Sequence, residues 1–338
     1  MEMKPLKIAG GGLAGLALGL ALRRQGVPVT VIESASYPRH RVCGEFISGI
    51  TAAELAALGI DDLFTTATRP QETAWFDGPR LLLRATLPQQ AWGISRHHLD
   101  AAMAERFLSL DGHLQTGQRF TEPAAEGIVL ATGRPSCDSP WLGLKAHFTG
   151  LQLTADLELH LGKGGYVGLT RVEDGHVNVS GLFRRTAPLT GGEHKLPQAI
   201  QDLGLENLAA RLRSCEIVPG SFKGVHRFHL GWQRPTDDAL RLGDAAAMIP
   251  PVTGNGMSMA LQSALAATAP LLKWSANEAT WLQTKRSVAH AHRTLFARRL
   301  RYARSLQWML LQPWARRLCG HVVSRQWISF AKLYQLVR

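Results

Sequence analysis

The segment Gly10-Gly11-Gly12-Leu13-Ala14-Gly15 constrains this chain more than any other. It fits G-x-G-x-x-G, follows an apolar stretch at 7–9 and opens a helically patterned run at 13–25. Gly10 allows a tight turn, Gly12 lets backbone approach a pyrophosphate, and Gly15 permits close helix–strand packing. The helix start, with Leu13 and Ala14 in its first turn, aims free N–H groups and a positive dipole end at the phosphates. Residues 27–33 read as a second buried strand ending in Glu33, placed to accept hydrogen bonds from a ribose diol. Strand, helix and strand form a βαβ unit, which predicts a parallel sheet that binds a dinucleotide.

Two patterns share the rest of the chain. Residues 51–58 and 96–110 read as helices stopped by Gly59 and Gly112, and 127–131 as a buried strand ending in Thr132-Gly133. Residues 240–242 read as a last strand before a helix over 257–269. By contrast, 73–76, 80–87 and 147–183 carry strand patterns. Alternation such as His176-Val177-Asn178-Val179-Ser180 predicts antiparallel strands with one wet face, and Asp174-Gly175 predicts a hairpin turn. The fold class is therefore α/β. A doubly wound, Rossmann-like nucleotide-binding domain covers 1–70, 93–140 and 236–275. It is interleaved with a mainly antiparallel β-sheet substrate domain over 71–92 and 141–235. Residues 276–338 read as basic C-terminal helices. A chain of 338 residues, 45% hydrophobic, is long enough for two such cores.

Charge is unevenly spread. The net charge is +12, and twelve of the 38 Lys and Arg lie in 281–338, which holds no Asp or Glu. There they interleave with Leu295, Tyr302, Trp308, Trp314, Trp327 and Ile328. That composition suits peripheral contact with anionic membrane. No nucleic-acid recognition module is visible, so no nucleic-acid partner is expected. Cys43, Cys137, Cys215 and Cys319 are too far apart for a zinc knuckle or a CxxC pair, and no metal site is expected. Residues 8–22 are apolar, but their glycines and the following Arg23-Arg24 argue against a secretory leader. The uncharged stretch 245–272 is broken by Pro250, Pro251, Gly254, Asn255 and Gly256, which argues against a membrane span. The expected location is the cytoplasm, with membrane association through the tail.

A second glycine-rich pattern pairs with the first. Gly243-Asp244 follows the strand at 240–242, and Pro251-Val252-Thr253-Gly254-Asn255-Gly256-Met257 opens the next helix. An acid at a strand end suits polyol hydroxyls, and a glycine-rich helix start suits an anionic ring edge. Together the two patterns resemble the FAD-dependent oxidoreductases of the p-hydroxybenzoate hydroxylase fold. Residues 251–263 and the run Pro38-Arg39-His40-Arg41-Val42-Cys43-Gly44-Glu45 are most similar to the branch of geranylgeranyl reductases and flavin-dependent halogenases. Ile94-Ser95-Arg96 resembles a further block of that branch.

The resemblance implies an FAD site. Gly10, Gly12, Gly15 and Glu33 would hold the ADP half, Arg41 would lie near the cofactor's middle or the flavin, and Arg96 would also contact the cofactor. Asp244 would bind the ribityl chain, and Gly254 to Met257 would face the pyrimidine edge of the flavin. Three departures bear on function. Thr132 stands where the hydroxylases carry an acid that affects NAD(P)H use, so a separate flavin reductase is expected as partner, with NAD(P)H the ultimate donor. The Tyr-x-Trp-x-Phe-Pro pattern of geranylgeranyl reductases is absent after Tyr166, and so is the Trp-x-Trp-x-Ile-Pro of tryptophan halogenases. The expected activity is a monooxygenase acting through a flavin C4a-hydroperoxide on a small hydrophobic aromatic or polyketide-like substrate. The alternatives are a reductase that saturates carbon–carbon double bonds of an isoprenoid-like substrate, and a non-catalytic flavin- or lipid-binding protein. Candidate catalytic groups are Cys43, His147, Tyr166 and His226, the last on a run where His226 and Phe228 alternate with Arg227 and His229.

Overall fold

The structure is a computed structural model that describes residues 2–184, 192, 195–233, 237–316 and 329–338. Cys319, Trp327 and Ile328 lie outside the described residues. The chain begins with β1 (Leu6–Ala9), α1 (Leu13–Arg23), β2 (Val29–Ile32), β3 (Phe46–Ser48) and α2 (Ala52–Leu58). It continues through β4 (Glu72–Asp77), β5 (Arg80–Thr86), β6 (Ala91–Gly93), α3 (Arg96–Ser109), β7 (His113–Gln115) and β8 (Ile128–Leu130). Then come β9 (Trp141–Thr149), β10 (Leu157–Gly162), β11 (Gly165–Arg171), β12 (Val177–Arg184), α4 (Lys195–Asp202) and α5 (Glu206–Arg213). Short strands β13 (Glu216–Ile217), β14 (Lys223–His226), β15 (Gly231–Trp232), β16 (Leu240–Arg241) and β17 (Ala247–Met248) precede α6 (Gly256–Ser275). The last helices are α7 (Trp281–Leu311) and α8 (Phe330–Leu336).

Two sheets organise these elements. The first is parallel throughout, with strand order β16-β8-β1-β2-β7. Helix α1 is buried from Leu13 to Leu22 and packs against α6 and α3. Gly19 makes that packing close: a Cβ there would lie 2.9 Å from the Phe107 ring of α3. The second sheet has the order β13-β9-β12-β11-β10-β4-β5, with β14 also paired to β9. Its pairs are antiparallel except β10 with β4. Helices α4 and α5 close one face through Leu196, Ile200, Leu208 and Leu212. The opposite face looks toward the first sheet and carries the site.

Local signals explain several boundaries. Thr51 and Glu54 form a capping box at α2, and Gly59 ends that helix at φ 71°. Ser95 caps α3 by accepting from the His98 N–H at 3.0 Å. Between β11 and β12 the chain turns through Glu173, Asp174 and Gly175, with Asp174 at φ 61°. The C-terminal region is dominated by one long helix rather than several short ones. The first half of α7 packs on α6, with Val288 in the same core as α1. Its second half reaches β10 and α8.

Phe107 is fully buried between Gly19 and Gly112. Phe107→Ala should therefore cost about 3–5 kcal/mol in urea unfolding, the loss typical of an aromatic removed from a packed core. A change below roughly 1 kcal/mol would mean that the α1–α3 packing is loose.

Candidate functional site

The site begins at the ends of the parallel strands. Gly15 must be glycine, because a Cβ there would collide with the Gly10 carbonyl. A Cβ on Gly12 would instead meet two guanidinium groups, Arg96 Nη2 at 3.6 Å and Arg41 Nη2 at 4.0 Å. Both arginines are fixed by the fully buried Asp100. Arg96 pairs with it in bidentate fashion at 2.7 and 2.8 Å, and Arg41 Nε lies 3.1 Å away. Two positive charges thus face the glycine loop and the start of α1, where a pyrophosphate would be held.

Glu33 ends its strand beneath this loop, but its carboxylate is already engaged. It accepts from the Gly11 N–H at 2.8 Å, from Ser34 and from the Ala35 N–H, and it pairs with Arg39 at 2.7 Å and Arg41 at 3.1 Å. Burial works to raise this carboxyl, yet Arg41 and Arg39 hold it below the usual carboxylate range. Tyr37 donates to the Gly11 carbonyl at 2.5 Å and lies over the same loop. A ribose diol therefore reaches Glu33 only by displacing one of these donors.

The second glycine-rich segment is open. Asp244, on the turn after β16, is half-buried and makes no hydrogen bond or ion pair among the described residues. Burial pushes its carboxyl up, while Arg134 and Arg96 oppose that shift. Gly243 packs against Ala14, so the two fingerprints adjoin. Asn255 precedes α6 without capping it. Its side chain instead donates to the Val337 carbonyl and accepts from Arg338, whose guanidinium also donates to the Thr253 carbonyl at 2.8 Å. The first amides of α6, at Gly256 and Met257, thus lack a side-chain cap, and the space at Gly256 is empty. An unpartnered acid, a bare helix start and two arginines at Gly12 fit the ribityl, ring and pyrophosphate parts of FAD. When bound, that group supplies the redox chemistry.

Beside Pro251 and Gly254 lies a cavity of about 480 Å³. Its walls are apolar, with Trp75, Leu159, Leu182 and Phe228 from the second sheet and its edge, Leu306 and Leu310 from α7, and Phe330 and Tyr334 from α8. Cys43 and Gly44 form the side next to Pro251 to Gly254. Arg134 lies in the wall with its guanidinium 5.8 Å from the Phe228 ring centroid, without a hydrogen bond or ion pair among the described residues.

The four candidate catalytic residues separate. Cys43 lines the cavity, and burial pushes its thiol up, which keeps it protonated. Tyr166 also lines it, but its hydroxyl donates to Gln307 at 3.1 Å and accepts from the Val252 N–H at 2.9 Å. Burial raises that phenol far above its ordinary range, so Tyr166 acts as a clasp and not as a base. His226 is exposed, because it alternates along β14 with Val225, which takes the cavity side, and His229 is exposed as well. Val225 and Phe228 face the cavity instead. His147 is buried outside the cavity lining, in a network that sequence reasoning did not find.

That network centres on Glu45, which is fully buried at φ 53°. Lys145 Nζ donates to one carboxylate oxygen at 2.8 Å and the Arg96 N–H donates to the same oxygen at 3.0 Å. His147 Nε2 donates to the other at 2.5 Å. Burial works to raise the Glu45 carboxyl, and the His147 hydrogen bond with the Lys145 charge brings it below its usual range. His40 receives a hydrogen bond from Lys145 at 3.3 Å and stacks on His97 at 4.4 Å. Burial and the Lys145 charge push His40 down to about 3.

Two measurements follow. The unfolded chain protonates His40 near 6.5 and the native fold near 3, so the unfolded state binds more protons between these values. Stability should fall as pH falls through that window, and Glu45, depressed from 4.5, adds to the loss at its acid end. His40→Asn should flatten the slope of urea-unfolding free energy against pH there, whereas an unchanged slope would place the proton uptake elsewhere. At the second fingerprint, Asp244→Ala should weaken FAD binding by roughly 1.5–3 kcal/mol in calorimetry, the contribution of one charged hydrogen-bond acceptor. An unchanged dissociation constant would make the Gly243-Asp244 turn purely structural.

Known proteins share this fold. Residues 3–123 match the family described as FAD binding domain. No curated protein sequence matches the chain significantly. Among solved structures, PqsL of Pseudomonas aeruginosa in complex with 2-aminobenzoylacetate superposes with a TM-score of 0.73 at 18% identity, covering 95% of this chain and 99% of that one. The p-nitrophenol 4-monooxygenase PnpA of Pseudomonas putida gives 0.74 at 14% identity, covering 98% and 96%. A geranylgeranyl bacteriochlorophyll reductase-like protein of Thermoplasma acidophilum gives 0.74 at 16% identity, covering 100% and 96%. Residues 3–123 thus match an FAD binding domain, and the whole chain shares the fold of these three structures.

Proposed function

We propose that the chain is an FAD-dependent monooxygenase acting on a small, largely apolar aromatic or polyketide-like substrate. The observation that carries this reading is the apolar cavity of about 480 Å³ directly beside Cys43, Gly44 and Pro251 to Gly254, the segments that would adjoin the flavin ring. Its size suits a one- or two-ring molecule. Its apolar walls disfavour water at the reacting end, which would protect reactive species from hydrolysis and leave the chain to orient the substrate. Tyr166 holds Val252 and Gln307 together, and so fixes the cofactor-side wall against α7. Arg134 would pair with an anionic group on the substrate. The PqsL complex, whose ligand carries a carboxylate, supports that reading by analogy of fold. Thr132 is exposed on the strand end where the hydroxylases carry an acid, which favours electron supply by a separate flavin reductase over direct use of NAD(P)H.

A mass measurement tests this reading. Candidate aromatic substrates would be incubated with the protein and reduced FAD under isotopically labelled oxygen. The expected product is heavier by one labelled oxygen atom and forms only when oxygen is present. A product that gains two hydrogens equally well without oxygen would instead establish a double-bond reductase.

A further inference from the structure

We infer that the outward face of the C-terminal half of α7 is a docking surface for an anionic lipid bilayer, set at the mouth of the cavity. The purpose of this surface rests on the apolar-substrate reading above, but its existence is tested without turnover.

Helix α7 has two faces. Phe296, Leu300, Ala303, Gln307 and Leu310 are buried. Arg298, Arg301, Tyr302, Ser305 and Trp308 follow helical spacing on the other side, and all are exposed. Tyr302 and Ser305 also line the cavity, so the cavity opens on this outer face. Three of the large apolar side chains that the described residues leave in water, Tyr302, Trp308 and Trp314, lie on this half of α7 or just after it, and Trp308 and Trp314 are 58% and 63% exposed. Their rings meet edge to face at 6.3 Å.

Basic residues accompany these rings on the helix. Arg298, Arg301 and Arg304 are exposed and have no acidic partner among the described residues. Two basic residues of this region that turn toward other elements do find one, Lys285 with Asp238 and Arg316 with Asp77. Tryptophan side chains among unpaired arginines match the headgroup layer of a bilayer, where indole meets the interface and guanidinium meets phosphate. A water-soluble partner would leave the adjoining apolar mouth unexplained. Lipid accounts for both, because a poorly soluble substrate would pass from the acyl region into the cavity without crossing water. No helix among the described residues is long and apolar enough to cross a membrane, so the contact is peripheral.

The experiment is cosedimentation of the whole protein with phosphatidylcholine vesicles, with and without phosphatidylglycerol, at low and high salt. Binding is expected to anionic vesicles, to fall steeply with salt and to be weak on neutral ones. The double variant R298E/R301E should lose at least about tenfold in partitioning, in line with the usual worth of a basic residue near an anionic surface. Trp308→Ser should weaken binding while keeping its salt dependence. Arg119→Glu, which alters charge on a distant exposed loop, should bind as the parent does. Circular dichroism of each variant separates loss of docking from loss of folding. No binding to anionic vesicles at low salt, equal binding to neutral ones, or full binding by folded R298E/R301E would overturn the inference. Duplex DNA binding in place of vesicle binding would overturn it too and assign the arginines to a polynucleotide.

Discussion

A buried carboxylate joins the two halves of this molecule. Glu45 sits where the nucleotide-binding domain meets the second sheet, out of contact with water. Removing a carboxylate from water is costly unless every lone pair finds a donor, and a lone buried lysine is no better placed. Lys145, His147 and the first amide of α3 meet that demand together. The geometry that satisfies the charge also positions the site. It holds Cys43 and Gly44 against the cavity, and it sets the start of α3, which carries Arg96 toward the glycine loop. Asn178 strengthens the same seam by donating to the Cys43 carbonyl at 3.0 Å.

The second sheet then divides its inner face by polarity. Lys145, His147, Asn178 and Ser180 lie side by side on β9 and β12 and serve the seam. Farther along, Tyr166, Leu159, Leu182 and Trp75 form the apolar cavity wall. Substrate space therefore starts where the ionic anchor stops. Helices α7 and α8 line it on the outer side, where its mouth lies, with Arg338 tied to Thr253 and Asn255. The tail is thus part of the cavity's wall.

Much of this was legible in the sequence. Gly10 to Gly15, Glu33 and the Gly243-Asp244 and 251–257 segments act locally, so residue type and spacing reveal them. The end of α2 at Gly59 is equally local. What stayed hidden depends on burial or distant partners. Strand β9 begins at Trp141, but it is buried on both faces through most of its length, so it lacks alternation. Helices α4 and α5 were overlooked although Leu196, Ile200 and Leu203, then Leu205, Leu208 and Leu212, carry helical spacing. Glu45 looked like one acid beside a family motif, because Lys145 and His147 lie about a hundred positions away. His226 could face either way in the sequence, and the register of β14 against β9 gives the cavity side to Val225. Glu33 was found in its expected place, while its saturation by Arg39 and Arg41 follows from how 34–41 folds back.

The account turns on one FAD site built from the glycine loop, Asp244 and the start of α6, beside the apolar cavity. An absorbance titration of the purified chain with FAD, repeated with FMN, tests this most directly. The arginines at Gly12 and the amides of α1 would reach a pyrophosphate that FMN lacks. The predicted result is saturable binding of FAD in one-to-one stoichiometry, with FMN markedly weaker. Absence of FAD binding, or equal affinity for FMN, would contradict it.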